Sequence, residues 1–297
     1  MFDFRLKVFQ SVAQNRSFTK ASKELFISQP AISKHIQELE LQYKTPLFER
    51  TGNQVRLTQA GELLASHAAK ILADYRRLEF EMNLLTRHFS GALALGASTT
   101  IAQYILPPVL SSFIQKFPEV HVSLINGNSR EIEQAVTDDK ITLGLVEGNT
   151  RLNTLHYTPF MKDELVVVTH SAGKLAELDE ITLEQLSRLP LVLRENGSGT
   201  LEVFESALAA RHIKLSALNV LLQLGSTESI KLFLENCDCL SVLSVRAVSR
   251  ELASGKLKVI DVTDFAAERM FSFVEKQGRN GGMEESFIRF SQLYTGV

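Results

Sequence analysis

Between residues 29 and 39 the chain sets Gln29, Ser33, Lys34 and Gln37 on one side of a helical repeat. Ile32, Ile36 and Leu39 fall on the other. The polar side carries hydrogen-bonding and cationic groups and no carboxylate. That is the chemistry needed to read base edges and phosphates in the major groove of DNA, and a glutamine such as Gln29 can make a paired contact to adenine. Ser33 and Lys34 can reach phosphates or bases. Arg50 and Arg56 follow on a short basic hairpin, where an arginine binds phosphate or enters the minor groove.

The neighbouring residues supply the elements that would hold this face. Ser17 can cap a helix that starts at Phe18 or Thr19, with Ala21 and Leu25 on its inner face. Phe26 and Ile27 close a turn. Ser28 caps the next helix, and Pro30 sits in its first turn, where a missing N–H costs nothing. A preceding helix, about Phe2 to Gln14, offers Leu6, Phe9 and Val12 or Ala13 as packing partners. Periodicity alone also allows an ordinary helical hairpin with a solvated face.

The same run resembles the LysR-type transcriptional regulators. It does so at Phe18-Thr19, Ala21, Leu25, Ser28-Gln29-Pro30-Ala31, Ser33, Leu39-Glu40, Pro46-Leu47-Phe48, Arg50, Leu57-Thr58 and Ala60-Gly61. The resemblance implies a winged helix-turn-helix over residues 1–58. It places Thr19, Ser28, Gln29, Pro30, Ser33, Lys34, Arg50 and Arg56 at double-stranded DNA. The chain departs from the family at Lys44, where a glycine usually ends the recognition helix. A left-handed cap costs a non-glycine residue about 1 kcal/mol, so a different local turn is expected there.

At 297 residues the chain is long enough for two or three domains. Residues 1–88 hold 13 Lys and Arg against 9 Asp and Glu, a net of +4, and the remainder carries 19 against 25, a net of −6. A basic N-terminal part suits DNA, and an acidic remainder stays off it. No segment approaches the roughly 20 apolar residues of a membrane span, and the N-terminus lacks a signal peptide's apolar core. A cytoplasmic protein is expected. Cys237 and Cys239 form a lone CxC without companion ligands and read as small buried hydrophobes. No cofactor and no metal site are expected.

Thr58 can cap a long helix over residues 59–88. Leu64, Ala68, Ile71, Tyr75, Leu78, Met82 and Leu85 repeat along it at alternating intervals of four and three, a heptad seam that asks for a partner helix. About 30 helical residues span roughly 45 Å. In the family this linker helix dimerises the DNA-binding domains. A dimer would present two recognition helices to a two-fold operator with half-sites about 34 Å apart, or a multiple of it.

After residue 91 apolar runs alternate with helical stretches. Residues 92–97, 120–125, 142–146, 165–169, 191–193 and 220–224 read as strands. Residues 101–117, 129–138, 201–212 and 229–236 read as helices. The alternation predicts an α/β fold with largely parallel sheets. Residues 89–297 resemble the effector-binding domain of LysR-type regulators, which has the two-lobed, type 2 periplasmic-binding-protein architecture. The resemblance implies lobe one at about 91–160 and 268–297 and lobe two at about 161–267. Crossing strands are expected near Thr158–Asp163 and Thr263–Arg269.

Ligands of open α/β sheets sit at the carboxyl ends of strands, where helix N-termini favour anions. Four loops have that position. They carry Ser98, Thr99 and Thr100; Glu147 and Gly148; Gly197, Ser198, Gly199 and Thr200; and Thr227. No cationic cluster is evident in them, with Arg194 only nearby. A small hydroxyl-bound anion therefore fits better than a multiply phosphorylated sugar. The runs GASTTIAQYILPPVL, GLVEG and ENGSGT look most like the sulfur-metabolism members of the family, which implies a sulfur oxyanion or related metabolite. Glu147 is awkward for an anion unless a neighbouring donor compensates it.

The expected function is regulated, sequence-specific DNA binding by a homodimer or homotetramer. Effector-driven lobe closure would alter operator spacing and contact with RNA polymerase. One alternative is a small-molecule-binding or scaffolding protein without regulated DNA binding. An enzyme is the other, but the chain shows no HExxH, no GxSxG and no P-loop.

Overall fold

The computed structural model describes residues 3–51, 54–86, 90–278 and 282–296. It divides into two compact units, residues 1–88 and 89–295. The first contains α1 (Phe4–Asn15), α2 (Phe18–Leu25), α3 (Gln29–Tyr43), the hairpin β1 (Phe48–Thr51) and β2 (Gln54–Leu57), and α4 (Gln59–Thr86). Local capping sets the boundaries. Ser17 accepts from the N–H of Lys20 at 3.2 Å, and Ser28 from that of Ala31 at 3.4 Å. Val8, Phe9, Val12, Ala21, Ile32, Ile36, Leu39 and Leu47 close the core beneath them.

Side chains from α3 and α4 pin the hairpin. The Glu40 carboxylate accepts from the N–H groups of Leu47 at 2.8 Å and Phe48 at 3.3 Å. The Thr58 hydroxyl donates to the Pro46 carbonyl at 2.7 Å and accepts from the Gly61 N–H at 3.0 Å. A Cβ at Gly61 would strike the Leu47 carbonyl, so only glycine lets α4 start this close to the hairpin.

Lys44 corrects the expectation of a different turn. It adopts the left-handed cap itself, with φ 54° and ψ 32°. The Thr45 N–H returns to the Glu40 carbonyl at 3.2 Å, as such a cap requires. The backbone bonds hold the turn, and the lysine bears the strain. Lys44→Gly should therefore raise the stability of this unit by about 1 kcal/mol, the steric relief exceeding glycine's added chain entropy. Denaturant unfolding of the two proteins checks this. Equal or lower stability in the variant would mean that Lys44 gains a compensating contact.

The second unit is a ten-stranded mixed sheet with helices packed on it. Along the chain it runs β3 (Gly91–Ser98), a π turn (Ile101–Ile105), α5 (Leu106–Lys116), β4 (Val120–Gly127), α6 (Ser129–Thr137), β5 (Leu143–Val146) and β6 (Leu155–His170). It continues through β7 (Glu180–Ile181), α7 (Leu183–Arg188), β8 (Leu191–Arg194), α8 (Gly199–Ala209), β9 (Val220–Leu224) and α9 (Thr227–Leu234). β10 (Leu240–Ser244), α10 (Val245–Ala253), β11 (Leu257–Val262), β12 (Ala267–Lys276) and α11 (Met283–Thr295) complete it.

β3, β4 and β5 pair in parallel in lobe one, and β8, β9 and β10 in lobe two. The strands between them are antiparallel, so the sheet is mixed rather than largely parallel. β6 and β12 pair along their length, from Ala267 opposite Leu165 to Lys276 opposite Leu155, and join the lobes. β6 spans 16 residues, of which the apolar pattern marks only the last part. The second crossing falls later than 263–269. Residues 263–266 form a turn with Asp264 at φ 56°, and the register shifts between Phe271 and Ser272.

Candidate functional site

The outer face of α3 presents Ser28, Gln29, Pro30, Lys34 and Gln37 to solvent, with Ser33 half-buried. Thr19 on α2 and Arg56 on β2 are also exposed. The side chain of Arg50 lies outside the described residues. Hydroxyl, amide and ammonium groups thus share one convex face, with Ile32, Ile36 and Leu39 fixing its orientation from beneath.

The linker seam divides. Ala68 is fully buried and Leu64 partly buried in the core of the N-terminal unit itself, so these two correct the reading of the whole seam as a partner-facing stripe. The first turns of α4 close the core against α1. Beyond them Ile71, Leu78 and Met82 are exposed, Tyr75 is half-buried, and the side chain of Leu85 lies outside the described residues.

In the second unit the four loops meet between the lobes. Ser98, Thr99, Thr100, Glu147, Ser198, Thr200 and Thr227 are all buried. Arg194, only 1% exposed at the end of β8, connects three of these loops. Its Nη1 donates to the Thr227 hydroxyl at 3.2 Å, and its Nη2 to the Thr99 hydroxyl at 3.4 Å. Glu195 takes its Nε at 2.8 Å and its Nη2 at 3.0 Å. Ser98 Oγ is buried with no hydrogen-bond partner among the described residues.

Arg269 on β12 is a second buried guanidinium. Its Nε donates to Asp163 at 2.7 Å, the residue opposite it in register, and its Nη1 to Thr200 at 3.0 Å. Its Nη2 lies 2.8 Å from Glu147 Oε2. Both of those atoms are out of line for a hydrogen bond, so the contact is a charge pair without a directed bond. Glu147 is therefore neutralised inside the protein. Two buried cations replace the expected absence of a cationic cluster. Arg269 and Asp163 carry no local motif, but alternation in β12 puts Ala267, Arg269 and Phe271 on one buried face. An arginine on such a face was the available signal.

The remaining loop residues shape the interface. Ser198 caps α8, accepting from the Thr200 N–H at 3.2 Å. A Cβ on Gly199 would lie 2.6 Å from the Glu147 side chain and 2.7 Å from the Gly148 nitrogen. Gly197, at φ 90°, accepts at its carbonyl from the Arg130 N–H at 3.3 Å. Glu202 on α8 accepts from the N–H groups of Asn149 at 2.9 Å and Thr150 at 2.6 Å across the lobes. Gly148 leaves room for that carboxylate. A cavity of 370 Å³ opens at this rim, bordered by Ser129, Gly148, Gly197 and Ser198.

Tyr104 donates to Glu228 across the opposite rim, and Lys231 pairs with Glu228 and Glu251 at 2.9 Å each. Burial, and then the Glu228 carboxylate, push the Tyr104 phenol above its ordinary value. Burial alone would raise Glu228, but hydrogen bonds from Lys231 and Tyr104 hold it below the usual range. The Cys239 thiol is pushed up to about 12 by burial and by Cys237, which leaves it inert. Among the described residues no group of three or more His, Cys, Asp or Glu could hold a metal, and no helix is long and apolar enough to cross a membrane.

A winged helix-turn-helix joined to two α/β lobes around a polar cleft defines a ligand-responsive DNA-binding protein. Residues 4–62 match the bacterial regulatory helix-turn-helix protein of the lysR family, and residues 86–292 match the LysR substrate binding domain. The chain belongs to the LysR family of transcriptional regulators. It is 31% identical over 269 residues to the HTH-type transcriptional regulator CysL of Bacillus subtilis, covering 91% of this chain and 89% of that one. It is 34% identical over 258 residues to the uncharacterized HTH-type transcriptional regulator YeiE of Escherichia coli, covering 87% and 85%. The regulatory domain of Synechocystis CcmR, solved in complex with 2-PG, superposes with a TM-score of 0.63 at 28% identity, over 69% of this chain and 98% of that one.

Proposed function

We propose that this regulator responds to a small anion held between its lobes, with a sulfur oxyanion as the leading candidate, and that it acts on DNA in the cytoplasm. Arg194 carries the proposal. A buried guanidinium between hydroxyls of opposite lobes, with Ser98 Oγ, without a partner among the described residues, on the loop that carries Thr99, has the chemistry to hold an oxyanion. Thr99 and Thr227 bond Arg194 directly, and Ser98, Thr100, Gly197, Ser198, Gly199 and Thr200 lie on the same interlobe loops, with the capped start of α8 offering a dipole that favours an anion. The ligand in the CcmR complex supports a small-molecule effector. Glu147 and Gly148 act on closure rather than on the ligand.

Lobe closure changes contacts between subunits, and with them operator spacing and contact with RNA polymerase. An effector can do this only through unequal affinity for the two assemblies, typically about 1–3 kcal/mol. Ile71, Leu78 and Met82 on α4 supply the partner-facing part of the linker, and Thr19, Ser28, Gln29, Pro30, Ser33, Lys34, Arg50 and Arg56 face DNA. The sheet ends at β4 and β9 are unpaired edges, with Ile125, Leu221 and Leu222 exposed, and they offer a second homo-oligomeric surface. The protein needs no catalytic group for this role.

The test combines a thermal-shift screen of the full chain with footprinting. Sulfate, sulfite, thiosulfate, phosphate, O-acetylserine and simple carboxylates form the panel. One of them should give a saturable shift and alter the footprint and the bend on the chain's own promoter region. A saturating ligand that changes neither would refute the coupling, and no shift from any anion would remove the anion reading. On the DNA side, Gln29→Ala should cost about 1–3 kcal/mol and relax base preference at one position per half-site. Unchanged affinity and preference would displace α3 from the groove.

A further inference from the structure

We infer that Phe26 is a DNA contact, an aromatic ring that the turn before α3 presents to a thymine methyl group in each half-site. Phe26 is 94% exposed, while Leu25 and Ile27 on either side pack into the core. Its backbone is left-handed, with φ 54° and ψ 37°, and its N–H closes the end of α2 on the Ser22 carbonyl. A bulky side chain is strained there, whereas glycine or asparagine occupies such a turn cheaply. An exposed ring also gains no burial from folding. Folding therefore gives no reason for phenylalanine at this position.

Binding does. Phe26 lies two residues before Ser28, and three and four before the exposed Gln29 and Pro30. Lys20, Lys23 and Lys34 are exposed on the same helices. The nearby Glu24 carboxylate is engaged by Ser11 at 2.9 Å and by Asn15 at 2.5 Å. An apolar ring between two helices that both expose lysines suits a polyanion that carries apolar groups, and phenylalanine is one of the side chains that contact the thymine methyl in the major groove. This inference rests on α3 lying in the groove, so Gln29→Ala serves as the control.

The full chain selects duplexes from a random-sequence library, and each thymine in the selected site is then replaced singly by deoxyuridine. Wild type should lose about four-fold in affinity at one thymine per half-site, the worth of one methyl group. Phe26→Asn and Phe26→Gly should bind more weakly, be indifferent to that substitution, and melt no lower than wild type. Wild-type affinity in both variants, or an unchanged deoxyuridine profile, would overturn the inference. So would an altered oligomeric state by light scattering, which would assign the ring to a second copy. If Gln29→Ala also binds like wild type, the placement of α3 itself fails. If only the Phe26 variants do, this inference alone fails.

Discussion

Arg269→Met should destabilise the C-terminal unit by about 3–5 kcal/mol, the cost of leaving a buried charge without its partner. The arginine serves two buried carboxylates at once, Asp163 at 2.7 Å and Glu147 at 2.8 Å, and it holds Thr200 of lobe two as well. Methionine fills similar space but leaves Glu147 without its ion-pair partner, and Asp163 with only the more distant Arg246 at 3.7 Å and the Ser244 hydroxyl at 2.8 Å. Repulsion should then push the end of β5 away from β6, and the lost bond to Thr200 should loosen α8. Urea unfolding of both proteins measures the effect. The double variant Arg269→Met with Asp163→Asn should recover part of the loss, because one of the two buried carboxylates is gone and the sites couple directly. A single variant as stable as wild type would show that the two carboxylates do not depend on Arg269.

The same residues show what local sequence can and cannot convey. Ser17, Ser28 and Pro30 act within four residues of themselves, so the helix starts around them follow from capping rules alone. The core face of α3 follows from a 3.6-residue period. Asp163 and Arg269 are 106 residues apart and become neighbours only through the pairing of β6 with β12. The polar first part of β6, from His156 to Glu164, hides a strand that folding imposes on the two crossing segments. Arg194 ends a short strand in which every residue is buried, a hint that its charge points inward. Ala68 satisfies a heptad and a domain core equally well, and only the position of α1 decides between them.

Arg194→Met should separate sensing from folding. The carboxylate partner of Arg194 is Glu195, whose side chain is 25% exposed, so water can solvate the charge left behind. Stability should therefore fall much less than for Arg269→Met. An anion beside Thr99 and Thr227 would lose the buried cation that bonds both hydroxyls. Truncating one side of a buried charge pair costs about 2–5 kcal/mol, or roughly 30-fold to several thousand-fold in affinity. Titration calorimetry with whichever anion gives the saturable thermal shift measures this directly. DNA binding without the anion should be unchanged, because the helix-turn-helix is untouched, while the anion's effect on the footprint should vanish. Arg194→Lys should fall between the two. It keeps the charge but replaces the planar fork that spans Thr99, Thr227 and the ligand with a single point. Undiminished anion affinity in Arg194→Met would move the effector to another part of the interface, and the rim beside Ser129 and Gly197 would be the next place to look.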